Sequence, residues 1–198
     1  MATSFMDKLE AQAFRAGLTK GTEEARKWFK EKLKDIKTVN RKQLLRDDNF
    51  KTTSRPMIGK MYMYFYDPKT KKDMPYYDRF PLIFLVEKAK KGFYGLNLHY
   101  LPPNVRAIFF DKLQDLTSNK NYSETTRLRL KYKTLKAATK YKQFEPCFKR
   151  YLTSNVNSRI VEVPATEWDS VLFLPTEYFM KAKKTKVWSD SRKLIKKR

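Results

Sequence analysis

Residues 60–66 read Lys60-Met61-Tyr62-Met63-Tyr64-Phe65-Tyr66, and two residue sets alternate along them. Successive side chains of an extended chain point to opposite faces. Met61, Met63 and Phe65 therefore fall on one side and Tyr62, Tyr64 and Tyr66 on the other, which predicts a β-strand with two distinct faces. The charged run Asp67-Pro68-Lys69-Thr70-Lys71-Lys72-Asp73 follows as a turn. A second strand is expected near Phe80 to Glu87. Its segment Leu82-Ile83-Phe84-Leu85-Val86 is apolar without alternation, the pattern of a strand covered on both faces. Lys90-Lys91-Gly92 reads as the next turn and Phe93 to His99 as a third strand. Strands joined by such short turns form an antiparallel meander of three or more strands, with a small barrel as the alternative in which it closes.

Outward from the meander, the chain reads as helices. A short helix from about Phe5 to Ala16 ends at Gly17. Thr22 is placed to cap a second, whose first turn carries Glu23 and Glu24 at the positive end of the dipole. Ala25, Phe29, Lys32 or Leu33, and Ile36 recur at helical spacing. From Val39 to Met57 no period holds, and the stretch reads as a linker or extended arm. After Pro102 and Pro103, the residues Val105, Ile108, Phe109, Leu113 and Leu116 line one face of a helix. Ser123 is placed to cap the next, running to about Tyr141, and Pro146 to open another through about Asn155. Residues 159–163 read as a returning strand, and Trp168 to Phe179 as an apolar segment broken by Pro175. The expected class is α+β: the antiparallel meander packed with helices and carrying basic terminal arms. The expected units are a helical N-terminal arm and linker (1–57), an α+β core (58–178) and a basic C-terminal tail (179–198).

The chain has 198 residues, 44 of them Lys or Arg against 21 Asp or Glu, a formal charge of +23. Such an excess opposes compaction by self-repulsion, so a partner of negative charge is expected, phosphate backbones first. The charge is concentrated. Residues 127–150 carry nine basic groups and one acidic, and residues 181–198 again nine and one. Aromatic residues at 15% exclude a disordered polyelectrolyte. No apolar run approaches the roughly 18 residues of a membrane span, so no membrane partner is expected. The N-terminal residues lack a signal-peptide core, and the single cysteine, Cys147, forms no internal disulfide, which points to a reducing compartment or a particle assembled inside a cell.

Within the first basic segment, Arg129, Lys133, Lys136 and Lys140 fall at i, i+4, i+7 and i+11, a cationic stripe on one helix side. Leu128, Tyr132 and Leu135 lie about 100° away, so the helix can dock while presenting its cations. A solvated helix face usually mixes signs. With acidic partners missing nearby in sequence, a track of phosphate contacts is the favoured reading. The tail supplies Lys183, Lys184, Lys186, Arg192, Lys193, Lys196, Lys197 and Arg198 as further candidates. Its Trp188 either stacks on a base or docks on the body. Tyr62, Tyr64 and Tyr66 would suit base stacking if exposed, but such a face is expected half-buried beneath a helix.

No catalytic, cofactor or metal site is expected. One histidine and one cysteine exclude a structural zinc site, and both read as core residues. There is no phosphate-binding glycine loop or dinucleotide fingerprint. The enzymatic alternative is a metal-dependent nuclease built on Asp67, Asp73, Asp78 and Glu87. Its carboxylate-and-lysine spacing is off, since Lys88 and Lys90 stand one and three positions after Glu87 rather than two.

Several strings carry a resemblance to a known family. They are Gly59-Lys60-Met61-Tyr62-Met63-Tyr64-Phe65-Tyr66-Asp67-Pro68-Lys69, then Pro75-Tyr76-Tyr77-Asp78-Arg79-Phe80-Pro81-Leu82-Ile83-Phe84, and Gly92-Phe93-Tyr94-Gly95-Leu96-Asn97-Leu98-His99-Tyr100-Leu101-Pro102. Lys149-Arg150-Tyr151-Leu152, and more loosely Trp168, Phe173-Leu174-Pro175 and Trp188-Ser189-Asp190-Ser191-Arg192, continue it. The chain resembles the DNA end protector family of virion proteins from T-even-type tailed phages over most of 58–192. The resemblance implies a non-enzymatic DNA-binding protein that shields the terminus of packaged linear DNA from host exonuclease and aids head completion. Its partners would be DNA and other virion proteins, and its location the virion and the host cytoplasm. A structural subunit of a phage neck or baseplate, whose basic patches meet acidic neighbours, is the alternative.

Overall fold

The computed structural model describes residues 4–19, 22–118, 123, 132–138 and 142–196. Strand β1 spans Lys51–Thr53, β2 Met61–Met63, β3 Tyr77–Asp78, β4 Leu82–Ala89, β5 Gly92–Asn97, β6 Phe148–Leu152, β7 Ile160–Val163 and β8 Phe179–Met180. Six of these form one antiparallel sheet in the order β1-β7-β2-β4-β5-β6, and β3 pairs with β8 apart from it. The expected meander is β2-β4-β5, in register Met61↔Phe84 and Met63↔Leu82. The sheet does not close into a barrel: β1 and β6 end it on opposite sides.

The alternation at 61–66 sorts two cores. Met61 and Met63 enter the principal core with Leu82, Phe84 and Val86, and Phe65 packs against it. Tyr62, Tyr64 and Tyr66 are buried on the other face with Ile83, Leu85, Phe93 and Tyr151. This face is covered by Ile58 and Val156 from neighbouring connections and by Ile160 of β7, rather than by the helix expected there. The sheet curls enough to bring the rings of Tyr64 and Tyr151 within 5.7 Å, although β4 and β5 lie between their strands. Gly92 and Gly95 permit that curl: a Cβ on Gly92 would strike the Tyr151 carbonyl and one on Gly95 would sit 2.8 Å from Ile83.

Among the described residues, the Tyr64 hydroxyl is buried without a hydrogen-bond partner. A buried hydroxyl in that state costs free energy, so Tyr64→Phe is expected to stabilise the fold by about 1 kcal/mol. Urea denaturation measures this; a variant less stable than the parent would show that the hydroxyl is satisfied in solution.

The helices lie against the principal core. Helix α1 spans Phe5–Arg15, α2 Glu23–Lys32, α3 Arg41–Leu44 and α4 Pro103–Ser118; residues 132–138 form α5; α6 spans Trp168–Phe173 and α7 Lys184–Lys196. Thr22 caps α2 by accepting from the Ala25 N–H, as its position implied. The 39–57 stretch is not a bare linker. It holds α3 and β1, and Leu44, Leu45 and Phe50 bury into the core. No period announced this, because the buried residues belong to different short segments. Among the described side chains of α4, Arg106, Phe109, Phe110 and Leu113 are buried and Ile108 is exposed; the side chain of Leu116, expected on the apolar face, lies outside the described residues. The turn 142–147 is 3-10, and the chain then enters β6, where a helix was expected. Pairing with β5 decides this: Tyr151 lies opposite Phe93, with their rings stacked at 5.7 Å. One buried cluster includes Met6 from α1, the sheet residues and Val187 from α7.

Candidate nucleic-acid interface

A buried polar cluster fixes the segment that leads into α7. Asp78 Oδ2 lies 2.7 Å from His99 Nδ1 and accepts from Asn97 Nδ2 at 3.1 Å. Its Oδ1 accepts from the backbone N–H groups of Phe80 and Tyr178. His99 Nε2 lies 2.9 Å from Thr176 Oγ1. An Asp–His–Thr chain has the order of a nucleophile triad, but Asp78, His99 and Thr176 are all at least 96% buried. The Thr176 hydroxyl, in the nucleophile's place, is closed off by burial. The cluster ties β3 and the turn 98–100 to residues 176–178.

Burial opposes ionisation of Asp78, but attraction to the His99 ring and hydrogen bonds from His99, Phe80 N–H and Asn97 outweigh it. They hold the carboxyl below its ordinary value. A carboxyl depressed in the fold contributes stability that is complete above its unfolded pKa of about 3.9 and is lost as pH falls through the folded value. Asp78→Asn is therefore expected to flatten the acid limb of stability below about pH 4, besides lowering stability at neutral pH. Urea midpoints measured across that range check it, and an acid limb identical to wild type refutes it.

Arg106 is the second buried anchor. Its Nε donates to the Leu101 carbonyl at 2.8 Å, its Nη2 donates to the His99 carbonyl, and Nη2 pairs with Glu177. Its guanidinium lies 5.6 Å from the Trp188 ring centre. Trp188 Nε1 in turn donates to the His99 carbonyl at 2.8 Å. With Val187 and Ser191 buried beside it, Trp188 seats α7 on the body. Of its two expected roles, the structure has the docking one, with Lys184 Nζ also 5.5 Å from the ring centre. The tail that looked like a free arm is helical over Lys184–Lys196 and packs against the 142–147 turn and the 98–100 turn. Sequence reasoning missed Arg106 because a charged residue inside an apolar helix pattern looks like a surface position.

Packing α7 on the 142–147 turn joins the two most basic segments of the chain. Lys133 and Lys136 are exposed on α5, whose Leu135 and Ala138 are buried and whose Tyr132 is half-buried; Leu128 of the expected apolar stripe lies outside the described residues. Lys136 is not without an acid: Glu87, from β4, stands 3.7 Å away, both side chains about half exposed. On α7 and just before it, Lys183, Lys184, Lys186, Arg192 and Lys193 are exposed; Lys186 pairs with Asp190 at 2.9 Å. Lys186 and Lys193, seven residues apart, share one helix side. Among the described residues, Lys133, Lys183, Arg192 and Lys193 have no ion-pair partner. Arg129, Lys140, Lys197 and Arg198 lie outside the described residues, as does the side chain of Lys196.

Other candidates from the sequence resolve differently. The tyrosine face is buried, so it offers no stacking platform. Three of the four acids of the nuclease alternative are separately engaged, Asp67 with Lys71, Asp78 with His99 and Asn97, and Glu87 with Lys136, while Asp73 is exposed in the turn after β2. Among the described residues, no three His, Cys, Asp or Glu side chains gather closely enough to hold a metal ion. Cys147 is buried, and burial pushes its thiol up to about 12, far from a reactive thiolate. Among the described residues, no helix is long and apolar enough to cross a membrane.

No curated protein and no solved structure matches the chain. A family profile described as the phage T4 terminal DNA protecting protein matches residues 1–197. That span takes in the sheet, the buried anchors and both basic segments, so the chain is a member of the phage T4 terminal DNA protecting protein family.

Proposed function

We propose that this protein binds the termini of linear phage DNA through the cationic surface of α5 and α7, shields those termini from host exonuclease, and takes part in completing the head. It acts without catalysis, within the virion and, after injection, in the host cytoplasm. The observation that carries this reading is the packing of α7, which exposes Lys184, Lys186, Arg192 and Lys193, onto the 142–147 turn of the other basic segment. Lys133, Lys136, Lys183, Lys184, Lys186, Arg192 and Lys193 are the phosphate contacts, continued in sequence by Arg129, Lys140, Lys196, Lys197 and Arg198. Blocking an exonuclease needs only tight occupation of the terminus, so affinity and geometry suffice.

Linear duplex challenged with an exonuclease, with and without protein, tests the reading alongside binding to a covalently closed circle of the same sequence. Protection of the linear DNA together with weaker binding to the circle is expected. Complete digestion at saturating protein would overturn shielding. A second reading, a neck or baseplate subunit whose basic surface meets acidic neighbours, is favoured by Phe14, 83% exposed on α1, an apolar side chain that DNA does not need. It predicts negligible duplex binding at physiological salt and a fixed stoichiometry with other virion proteins.

A further inference from the structure

A cavity of about 370 Å³ opens between β6 and the loop after β2, lined by Tyr77, Tyr100 and Phe148 and by Lys69, Lys149 and Arg150 among others. Its volume falls at the lower end of the roughly 300–1,000 Å³ of small-molecule sites. It admits one nucleotide and not a base pair. β6 is an edge strand of the sheet, so one side of the cavity is free of a further strand. The cavity also adjoins the seat of α7: Tyr100 belongs to the 98–100 turn, against which α7 packs.

Lys149 is the unusual feature. Its ammonium lies 4.5 Å from the ring centre of Tyr100, and burial lowers its pKa. Among the described residues no carboxylate pairs with it. Asp78, the acid of the cavity wall, is committed to His99, Asn97 and two backbone N–H groups. A partly desolvated ammonium on a ring face is only partly compensated, and the missing counter-charge has room to enter from the cavity. Aromatic walls with one such cation suit a ligand that is itself aromatic and anionic. In linear duplex DNA, a nucleotide leaves the stack most cheaply at a strand end, where it is held on one side only. A terminal phosphomonoester also carries more charge than an internal diester, about −1.5 to −2.

We propose that this cavity receives the terminal nucleotide of a DNA strand, its base against the half-exposed rings of Tyr77 and Phe148 and its terminal phosphate on Lys149, with Lys69 and Arg150 at the mouth. This rests on the end-binding function above and supplies a reason for choosing an end over the duplex interior. The basic surface holds the duplex by its backbone, and the cavity reads that a strand stops.

The test uses the full chain and four DNAs of one sequence: linear duplex with 5′-phosphate, with 3′-phosphate or with hydroxyl ends only, and a covalently closed circle. Wild-type protein is expected to bind one phosphorylated form roughly tenfold more tightly than the hydroxyl form, the worth of one charge-assisted contact; which form wins identifies the strand end. Lys149→Met is expected to abolish that preference and leave circle binding unchanged. It should melt at or above the wild-type temperature, since it removes a desolvated charge. Equal wild-type affinity for phosphorylated and hydroxyl ends overturns the cavity assignment, as does a preference that survives Lys149→Met. If the variant melts lower, the wild-type comparison alone decides. Wild-type protein that binds none of the four DNAs overturns the end-binding function itself. Binding to all four without a phosphate preference overturns only the cavity.

Discussion

Changing Lys133, Lys183, Arg192 and Lys193 together to alanine is expected to weaken duplex binding by about a thousandfold at 0.15 M salt and to flatten the log–log salt slope by about 3.6. Each phosphate neutralised on B-DNA contributes about 0.9 to that slope through counterion release. Among the described residues these four cations have no competing acid, so removing them should show nearly the full effect. Lys136→Ala alone should do less, because Glu87 at 3.7 Å already engages that ammonium, although an exposed pair of this kind is itself worth little. All four sites are exposed, so the unfolding midpoint should hardly move. Filter or fluorescence titrations from low to physiological salt give both numbers. A quadruple variant with the wild-type slope would show that these cations face solvent or another protein.

Arg106→Met is expected to cost about 3–5 kcal/mol, the usual penalty for removing one partner of a buried ion pair. It leaves the buried Glu177 carboxylate without its cation and the Leu101 carbonyl without this donor, while the His99 carbonyl keeps only Trp188 Nε1. Burial opposes ionisation of Glu177, but Arg106 and, more distantly, His99 outweigh it and hold its carboxyl below the ordinary value. Adding Glu177→Leu should therefore recover much of the stability that the single substitution removes. The second consequence is functional. Arg106 lies against the Trp188 ring, so α7 loses part of its seat and the basic surface loses its fixed geometry. DNA binding should weaken even at temperatures where the sheet is intact. Chemical denaturation and binding titrations on the single and double variants separate the two effects; a single variant of wild-type stability would refute the buried-pair assignment.

The meander was legible because its signal is local. Alternation at 61–66 and the continuous apolar run at 82–86 each report the faces of one strand, and both strands formed with those faces buried as read. Helix α2 was legible for the same reason: a cap, acidic first-turn residues and a 3.6-residue period lie within a dozen positions. β6 was misread as helix because its five residues gain their conformation from β5, about fifty positions earlier, and the Pro146 signal nearby pointed elsewhere. The stretch 39–57 hid its buried residues because a one-turn helix, a turn and a three-residue strand share no period.

By itself the amino-acid order determined the charge, its concentration in two segments, the central strands and the resemblance over most of 58–192, since each is carried by residues adjacent in the chain. Only the tertiary structure decided that the C-terminal segment is a docked helix, that Arg106 is buried to hold it, and that Lys149 lines a cavity with Tyr100. Those outcomes depend on which distant groups meet when apolar surface is withdrawn from water. A lysine or arginine carries no mark in sequence of whether its counter-charge will be a solvent ion, a carboxylate 71 positions away, as Glu177 is from Arg106, or a partner still to bind.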